Sequence, residues 1–153
     1  MNTSKAQIDR SNLLYHLGLL TRRWRQVLDS EFQSVELTDA TWRPLLHLDI
    51  LGEGVRQKDL AGSIGIEGPT LVRLLDTLTA KGLIQRSEDV TDRRAKKLRL
   101  TPAGHLIVAR IREIVTSLEN ELLRSFSDSE ITRFGRLILS LESNVNSVLK
   151  RVK

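Results

Sequence analysis

The chain has 153 residues and a net charge of +5 at pH 7, and 40% of its residues are hydrophobic. This length and composition suit one compact domain, or a small domain with helical extensions. Cysteine is absent, which excludes disulfides, thiolate metal sites and thiol-based redox sensing. No apolar run is long enough to span a membrane and the N-terminus does not resemble a secretory signal, so we expect a cytoplasmic protein with no membrane partner.

Two helices are predicted before a pair of glycines at positions 52 and 54. The first helix has an apolar residue at every third or fourth position, which forms one stripe along it. The members of that stripe are Leu13, Leu17, Leu20, Trp24, Leu28 and Phe32. Thr38 is the expected N-cap of the second helix, which runs to about Leu51 before the glycines end it.

A helix–turn–helix pattern follows these glycines. A short helix is predicted over residues 57–64, and Gly65 supplies the turn. The next helix begins at Gly68 and has Pro69 in its first turn, where the missing proline amide loses no hydrogen bond. It closes at Lys81, which is followed by a glycine C-cap.

The second helix of this helix–turn–helix has two distinct faces. Its apolar face comprises Leu71, Leu74, Leu75 and Leu78. Thr70, Arg73 and Thr77 lie on the opposite side. Recognition helices place base-contacting side chains about one turn from their N-terminus, where Arg73 lies. Arg73 is therefore predicted to pair with guanine O6 and N7, although a phosphate contact or a solvated arginine remains the alternative.

The start of the same helix is a candidate phosphate site. Gly68, Pro69 and Thr70 lie at the N-terminus of this helix, where free amides and the helix dipole favour an anion. Glu67 either caps this helix end or accepts a hydrogen bond from cytosine N4, and the cap is favoured.

Two short strands, residues 83–87 and 97–101, are predicted after this helix, with a polar loop between them. Of the seven residues 93–99, five are Arg or Lys. Such a run is either a solvated surface strand or a nucleic-acid contact, and its position behind a helix–turn–helix favours nucleic acid. The pattern indicates a wing, and within it Arg86, Lys96, Lys97 and Arg99 are expected to contact phosphate or to face water.

Two further helices are predicted to complete the chain. The first begins at Thr101-Pro102, and its apolar stripe is Ile107, Ile111, Ile114, Leu118 and Leu122. Ser127 and Glu130 form a capping box for the last helix. Its apolar positions, spaced three and four apart, are Ile131, Phe134, Ile138, Leu141, Val145 and Val148. This seam packs either on the protein's own core or on a second copy, and the surplus of apolar helices favours a homodimer.

The predicted fold class is mainly α with a small β-hairpin: a winged helix–turn–helix with dimerisation helices at both ends. The N-terminal helix occupies residues 1–36 and belongs to the dimerisation region. The winged DNA-binding domain occupies residues 37–101, and the C-terminal dimerisation helices occupy residues 102–153.

The segments IGIEGPTLVRLLDTLTAKGLI and TDRRAKKLRLT resemble the recognition helix and the wing of the MarR family of bacterial transcriptional regulators, in particular its SlyA-like branch. The likeness extends from about Leu17 to the end and includes the order of elements. It implies a homodimer of interlocked terminal helices. It also implies that Arg93 or Arg94 enters the minor groove, while Asp92 holds the shape of the loop.

The same resemblance implies a small-molecule effector. In SlyA-like relatives the matching region accepts aromatic carboxylates such as salicylate. The corresponding residues here are Arg22, Arg25, Trp42 and Leu46, in which an arginine would pair with the carboxylate and an aromatic wall would hold the ring. In the alternative interpretation both arginines are interface or surface charges and Trp42 is a core residue.

No catalytic constellation, metal site or cofactor site is predicted. The three histidines are far apart in sequence and lack the paired spacing of a zinc helix. The expected function is sequence-specific recognition of double-stranded DNA by a transcriptional regulator, released by a small aromatic carboxylate. A non-specific architectural DNA binder and a winged-helix protein-interaction module are the alternatives.

Overall fold

The computed structural model describes residues 7–153, in which six helices and a three-stranded antiparallel sheet are formed. In chain order the elements are α1 (Leu13–Gln33), α2 (Asp39–Leu51), β1 (Val55–Arg56), α3 (Gln57–Ile64), α4 (Gly68–Ala80), β2 (Ile84–Glu88), β3 (Lys96–Leu100), α5 (Pro102–Leu123) and α6 (Asp128–Val152). By packing, the chain divides into two compact units, of which the first ends at Val115 and the second is Thr116–Lys153. The domain boundaries at residues 36 and 101 stay a prediction.

The first unit contains the helix–turn–helix, and its core lies where α2, α3 and α4 meet. Leu60 of α3 and Leu71 and Leu75 of α4 are completely buried. Gly65 makes the turn between α3 and α4 with a φ of +76°, in the left-handed region that side chains with a Cβ rarely adopt. The predicted helix–turn–helix and its turn glycine are confirmed.

The N-terminal stripe is helical as predicted, but only its last two positions are buried. Leu28 is buried, and Phe32 packs against Trp42 of α2 with 4.8 Å between the ring centroids. Leu13 and Leu20, nearer the start of α1, are 41% and 58% exposed. The first turns of α1 therefore present apolar side chains to solvent.

The sheet has one strand more than the sequence predicts. β1 pairs antiparallel with β3, with Val55 opposite Leu98 and Arg56 opposite Lys97. Two residues are too few to show the alternation by which strands are recognised in a sequence. β2 and β3 form the predicted hairpin, displaced by one residue from the expected bounds.

The buried face of α5 differs from the predicted stripe. Its buried residues are Gly104, Val108, Ile111 and Val115, so that of the predicted stripe only Ile111 is fully buried. The face is rotated because α5 begins against the corner between α4 and β2. There the Thr101 hydroxyl donates to the Gly82 carbonyl at 2.6 Å, and Gly104 lies against the backbone of Leu83.

The capping box at the start of α6 is confirmed. The Ser127 hydroxyl accepts from the Glu130 amide at 3.3 Å, and the Glu130 carboxylate accepts from the Ser127 amide at 2.8 Å. No α6 residue is buried by the described part of the chain, and Phe134 and Ile138 of the predicted seam are 51% and 46% exposed.

Within residues 7–153, no helix combines the length and apolarity needed to cross a membrane.

We expect Gly104→Ala to lower the free energy of unfolding by about 1–3 kcal/mol or more, because the added Cβ would clash with the Leu83 carbonyl oxygen. Gly62→Ala on α3 is the control, since open space surrounds that position. The control should stabilise the helix by about 0.5–1 kcal/mol. Urea unfolding measures both. Equal stability of the two variants would show that α5 does not dock tightly at Gly104.

Candidate nucleic-acid interface

The two faces of α4 separate as its sequence predicts. Leu71 and Leu75 point into the core, whereas Thr70, Arg73 and Thr77 are exposed. The Thr77 hydroxyl donates to the Arg73 carbonyl at 3.1 Å, one turn back along the helix. Arg73 therefore stands on the exposed surface of a helix whose opposite side is fixed in the core.

A groove of about 560 Å³ runs between the start of α4 and the wing. Gly68 of α4 lines it together with Arg94 and Lys96 of the wing. Two further cations, Arg56 and Lys58, also line it. The groove therefore collects basic groups from two separate segments of the chain, and this is the surface charge that a polyanion would meet.

Arg56 and Lys58 are absent from the sequence prediction. Both lie in the short run Val-Arg-Gln-Lys that contains β1 and the start of α3. The signal available in the sequence was the pair of cations at the start of the helix–turn–helix. It was missed because β1 was not recognised and because Lys58, within the predicted helix over residues 57–64, was not considered as a DNA contact.

The loop of the wing is shaped by Asp92. Its carboxylate accepts from the Arg94 amide at 3.0 Å, and its carbonyl accepts from the Ala95 amide at 2.9 Å. Arg93 and Arg94 are exposed at this turn. The loop thus holds two adjacent guanidinium groups on a compact turn, beside the groove that Arg94 lines.

Asp89 lies at the base of the same loop and is only 3% exposed. One carboxylate oxygen accepts from the Thr91 amide at 2.9 Å and from the Thr91 hydroxyl at 2.8 Å. The other accepts from Arg56 Nε at 3.2 Å and Nη2 at 2.9 Å. Lys97 Nζ lies 3.7 Å from the carboxylate oxygen that accepts from Thr91.

These contacts explain why the Asp89 carboxylate can stay charged while buried. The hydrogen bonds from Thr91, followed by those from Arg56 and the charge of Lys97, hold the pKa of Asp89 well below its usual range. The sequence prediction treated this residue as part of a polar loop. A carboxylate is identified as buried only when the strands that surround it are known.

Arg86 of β2 is turned toward α4. It shares a strand face with the buried Ile84, two residues earlier, so alternation directs it to the helix. Its Nη2 lies 2.7 Å from the Asp76 carboxylate and donates to the Val72 carbonyl at 3.3 Å. The structure therefore gives Arg86 the role of holding β2 against α4, and its phosphate contact stays a prediction.

The four predicted effector residues lie in two different environments. Trp42 is 2% exposed, and its indole N–H donates to Asp29 at 3.1 Å. Leu46 is also buried. Arg22 and Arg25 lie exposed on α1, and Arg25 forms an ion pair with Asp39 at 3.1 Å. These geometries agree with the alternative in which Trp42 is a core residue.

Within residues 7–153, no group of three His, Cys, Asp or Glu side chains is arranged to hold a metal ion.

Residues 36–95 match the sequence model of the MarR family. The solved structure of the transcriptional regulator PA3341 is 36% identical to this chain, with a TM-score of 0.81 over 88% of this chain and 98% of that one. This chain belongs to the MarR family of transcriptional regulators.

More distant MarR-type structures share the fold. The transcriptional regulator SlyA is 22% identical, with a TM-score of 0.75 over 93% of this chain and 99% of that chain. The MepR–DNA complex from S. aureus is 24% identical, with a TM-score of 0.71 over 90% and 99% of the two chains. The family predicted from the sequence is therefore confirmed, whereas the SlyA-like branch stays a prediction.

In this MarR-family protein we expect Asp89→Asn to lower the free energy of unfolding at pH 7, because the amide cannot replace the charge that faces Arg56. Folding lowers the pKa of Asp89. The stability that its charge provides is therefore complete above the unfolded pKa, about 3.9, and is lost as the pH falls further.

Unfolding by urea at a series of pH values measures this dependence. The difference between wild type and Asp89→Asn should be constant from neutral pH to about pH 5 and should shrink below about pH 4. Glu88→Gln, at the exposed neighbouring position, is the control. A difference that persists unchanged in strong acid would mean that Asp89 contributes by shape and not by charge.

Proposed function

We propose that this MarR-family protein binds double-stranded DNA in a sequence-specific way, as a homodimer on a pseudo-palindromic operator. The observation that carries the proposal is the exposed face of α4 with Arg73 at its centre, bordered by the basic groove and the wing. The relation to transcriptional regulators, and to a MepR structure solved with DNA, supports it.

In this proposal α4 enters the major groove. Its leucine face stays in the core, so Arg73 is the side chain that meets base edges about one turn from the helix start. A guanidinium donates two parallel hydrogen bonds to guanine O6 and N7, a pair that no other base offers. Arg73 therefore specifies sequence, and Thr70 lies one turn earlier on the same exposed face of α4.

The surrounding cations supply affinity. The free amides at the N-terminus of α4, where Gly68, Pro69 and Thr70 lie, bind a phosphate. Lys96 contacts the DNA backbone from the wing. Arg93 or Arg94 reaches the minor groove, where a narrow A·T-rich segment attracts arginine. Asp92 keeps the loop in the shape that presents them.

A salt titration against two duplexes tests the proposal. One duplex is selected by the purified protein from random DNA, and the other is scrambled. A specific regulator keeps a large ratio of affinities at physiological salt, in the range of about 10³–10⁷. A ratio near one with a steep salt dependence would identify an architectural DNA binder. Absence of binding to either duplex would favour a protein-interaction module.

We expect Arg73→Ala to weaken binding to the selected duplex by about 1–3 kcal/mol and to relax base preference at one position in each half-site. Arg93→Ala and Arg94→Ala should instead weaken binding to all duplexes and reduce the dependence on salt. Competition binding with a set of single-base variants of the duplex distinguishes the two effects. If Arg73→Ala weakened every duplex equally, Arg73 would be a phosphate contact.

The homodimer is supported by the apolar surface that the terminal helices expose. Leu13 and Leu20 are exposed on α1, as are Phe134 and Ile138 in the seam of α6. On each of these two helices, exposed apolar side chains of this kind are suited to bind a partner. A two-fold dimer reads a two-fold site, with half-site centres roughly 34–36 Å apart.

We expect Ile138→Glu to dissociate the dimer and to abolish tight DNA binding, because it places a charge in the apolar seam. Leu139→Glu makes the same change one residue along the helix, outside the predicted seam, and is the control. Sedimentation velocity measures association. Deletion of α6 from Ile131 onward should have the same effect, and a truncated monomer that still binds its site tightly would contradict the dimer.

The proposal also includes a small aromatic carboxylate that releases the DNA and binds near Arg22 and Arg25, against Trp42 and Leu46. Because Arg25 is paired with Asp39, the ligand carboxylate would have to displace that partner. The coupling free energy between ligand and DNA should be about 1–3 kcal/mol, so that each weakens the binding of the other by the same factor.

Placement in the SlyA-like branch and a cytoplasmic location belong to the same proposal.

Calorimetry with salicylate and benzoate analogues tests the effector. We expect Arg25→Ala to reduce the binding heat, because it removes the cation that pairs with the carboxylate. Arg23→Ala, at an exposed neighbouring position on α1, should leave the heat unchanged. Identical heats for wild type and Arg25→Ala would remove Arg25 from the site.

A further inference from the structure

The wing is joined to the rest of the first unit through a buried carboxylate. Asp89 takes contacts from its own loop through Thr91, from β3 through Lys97 and from β1 through Arg56. Arg56 also occupies the N-cap position of α3, the helix that precedes the turn into α4. A single side chain thus connects the wing loop to the helix–turn–helix.

We propose that Asp89 and Arg56 are positioning residues for DNA binding, here named the wing clasp. The clasp fixes the direction in which the loop leaves the sheet and so sets where Arg93 and Arg94 lie relative to α4. This inference rests on the proposed function, because it assigns a role within the same DNA-binding surface.

The geometry of the loop explains how one carboxylate sets its direction. The Asp89 amide donates to the Ala95 carbonyl at 3.0 Å, so these two residues close the base of the loop. Residues 90–94 span that base, and both wing arginines lie among them. A change in the direction of the backbone at Asp89 would therefore move the arginines with it.

Arg56 keeps Asp89 from rotating. Its Nε and Nη2 both donate to the same carboxylate oxygen, and this two-donor contact defines the orientation of both groups. The second oxygen is held by the amide and the hydroxyl of Thr91. Every contact of the carboxylate comes from a neighbour that is itself fixed in the sheet or the loop.

The sign of the expected effect separates positioning from simple electrostatics. A negative charge beside the wing repels phosphate, so removing it should tighten DNA binding if charge alone matters. If Asp89 positions the wing, its removal should weaken DNA binding despite the more favourable net charge.

The test compares Asp89→Asn with Glu88→Gln, which removes the same charge from the adjacent exposed residue. Affinity is measured for a duplex that the wild-type protein selects from random DNA. We expect Asp89→Asn to weaken binding on the order of tenfold, and Glu88→Gln to leave it unchanged or slightly tighter. Tighter binding by Asp89→Asn, or equal effects of both variants, would overturn the proposal.

A second comparison asks whether the effect passes through the wing arginines. Asp89→Asn is introduced into protein that already carries Arg93→Ala and Arg94→Ala. The clasp predicts that Asp89→Asn then has little further effect, because there are no wing arginines left to misplace. The same weakening in both backgrounds would indicate general damage to the domain and would overturn the proposal.

Amide hydrogen exchange without DNA provides a readout that does not depend on the proposed function. Residues 90–95 should exchange faster in Asp89→Asn than in wild type or Glu88→Gln, while α4 is unaffected. If Asp89→Asn does not fold, Arg56→Gln takes its place, and unchanged exchange in that variant would overturn the clasp. A wild type that selects no DNA would defeat the proposed function, and faster exchange in Asp89→Asn would still support the clasp as a constraint on the loop.

Discussion

Burial of the leucine face of α4 is the constraint on which the rest of this structure depends. Leu71, Leu75 and Leu78 are 1% exposed or less, and each contributes about 1.5–3 kcal/mol by leaving water. This burial fixes the rotation of α4 about its own axis. A helix that could rotate would present Thr70, Arg73 and Thr77 in no defined direction, and base recognition requires a defined direction.

The wing faces a different physical problem, because it must hold several cations close together on a small surface. Two carboxylates make this arrangement stable. Asp92 binds the backbone of the loop that carries the arginines, and Asp89 binds Arg56 and Lys97 at its base. Arg93 and Arg94 remain exposed beside these pairs. The acidic residues of the wing thus organise its basic surface instead of neutralising the part that faces outward.

Local sequence patterns predicted the helices well. Apolar spacing, the turn glycine at Gly65 and the capping box at Ser127 each depend on residues a few positions apart, so a single sequence displays them. The face of α4 that carries Arg73 follows from the same spacing. These features account for the fold class and for the core of the candidate site.

Features that depend on residues distant in sequence were not predicted. β1 is defined by its pairing with β3, more than forty residues later, and the burial of Asp89 follows from that pairing. The close approach of Gly104 to Leu83, which sets the buried face of α5, was not predicted because an apolar stripe does not reveal such a contact. The ion pair of Arg86 with Asp76 was not predicted either, because the two residues lie on different elements.

Dimethyl sulfate protection of the selected duplex tests the central claim most directly, because the reagent methylates guanine N7 in the major groove and adenine N3 in the minor groove. The account predicts protected guanines beneath α4 and protected adenines beneath the wing, repeated in two symmetric copies. Protection confined to the minor groove, or spread evenly along the duplex, would contradict the assignment of α4 as the helix that reads the sequence.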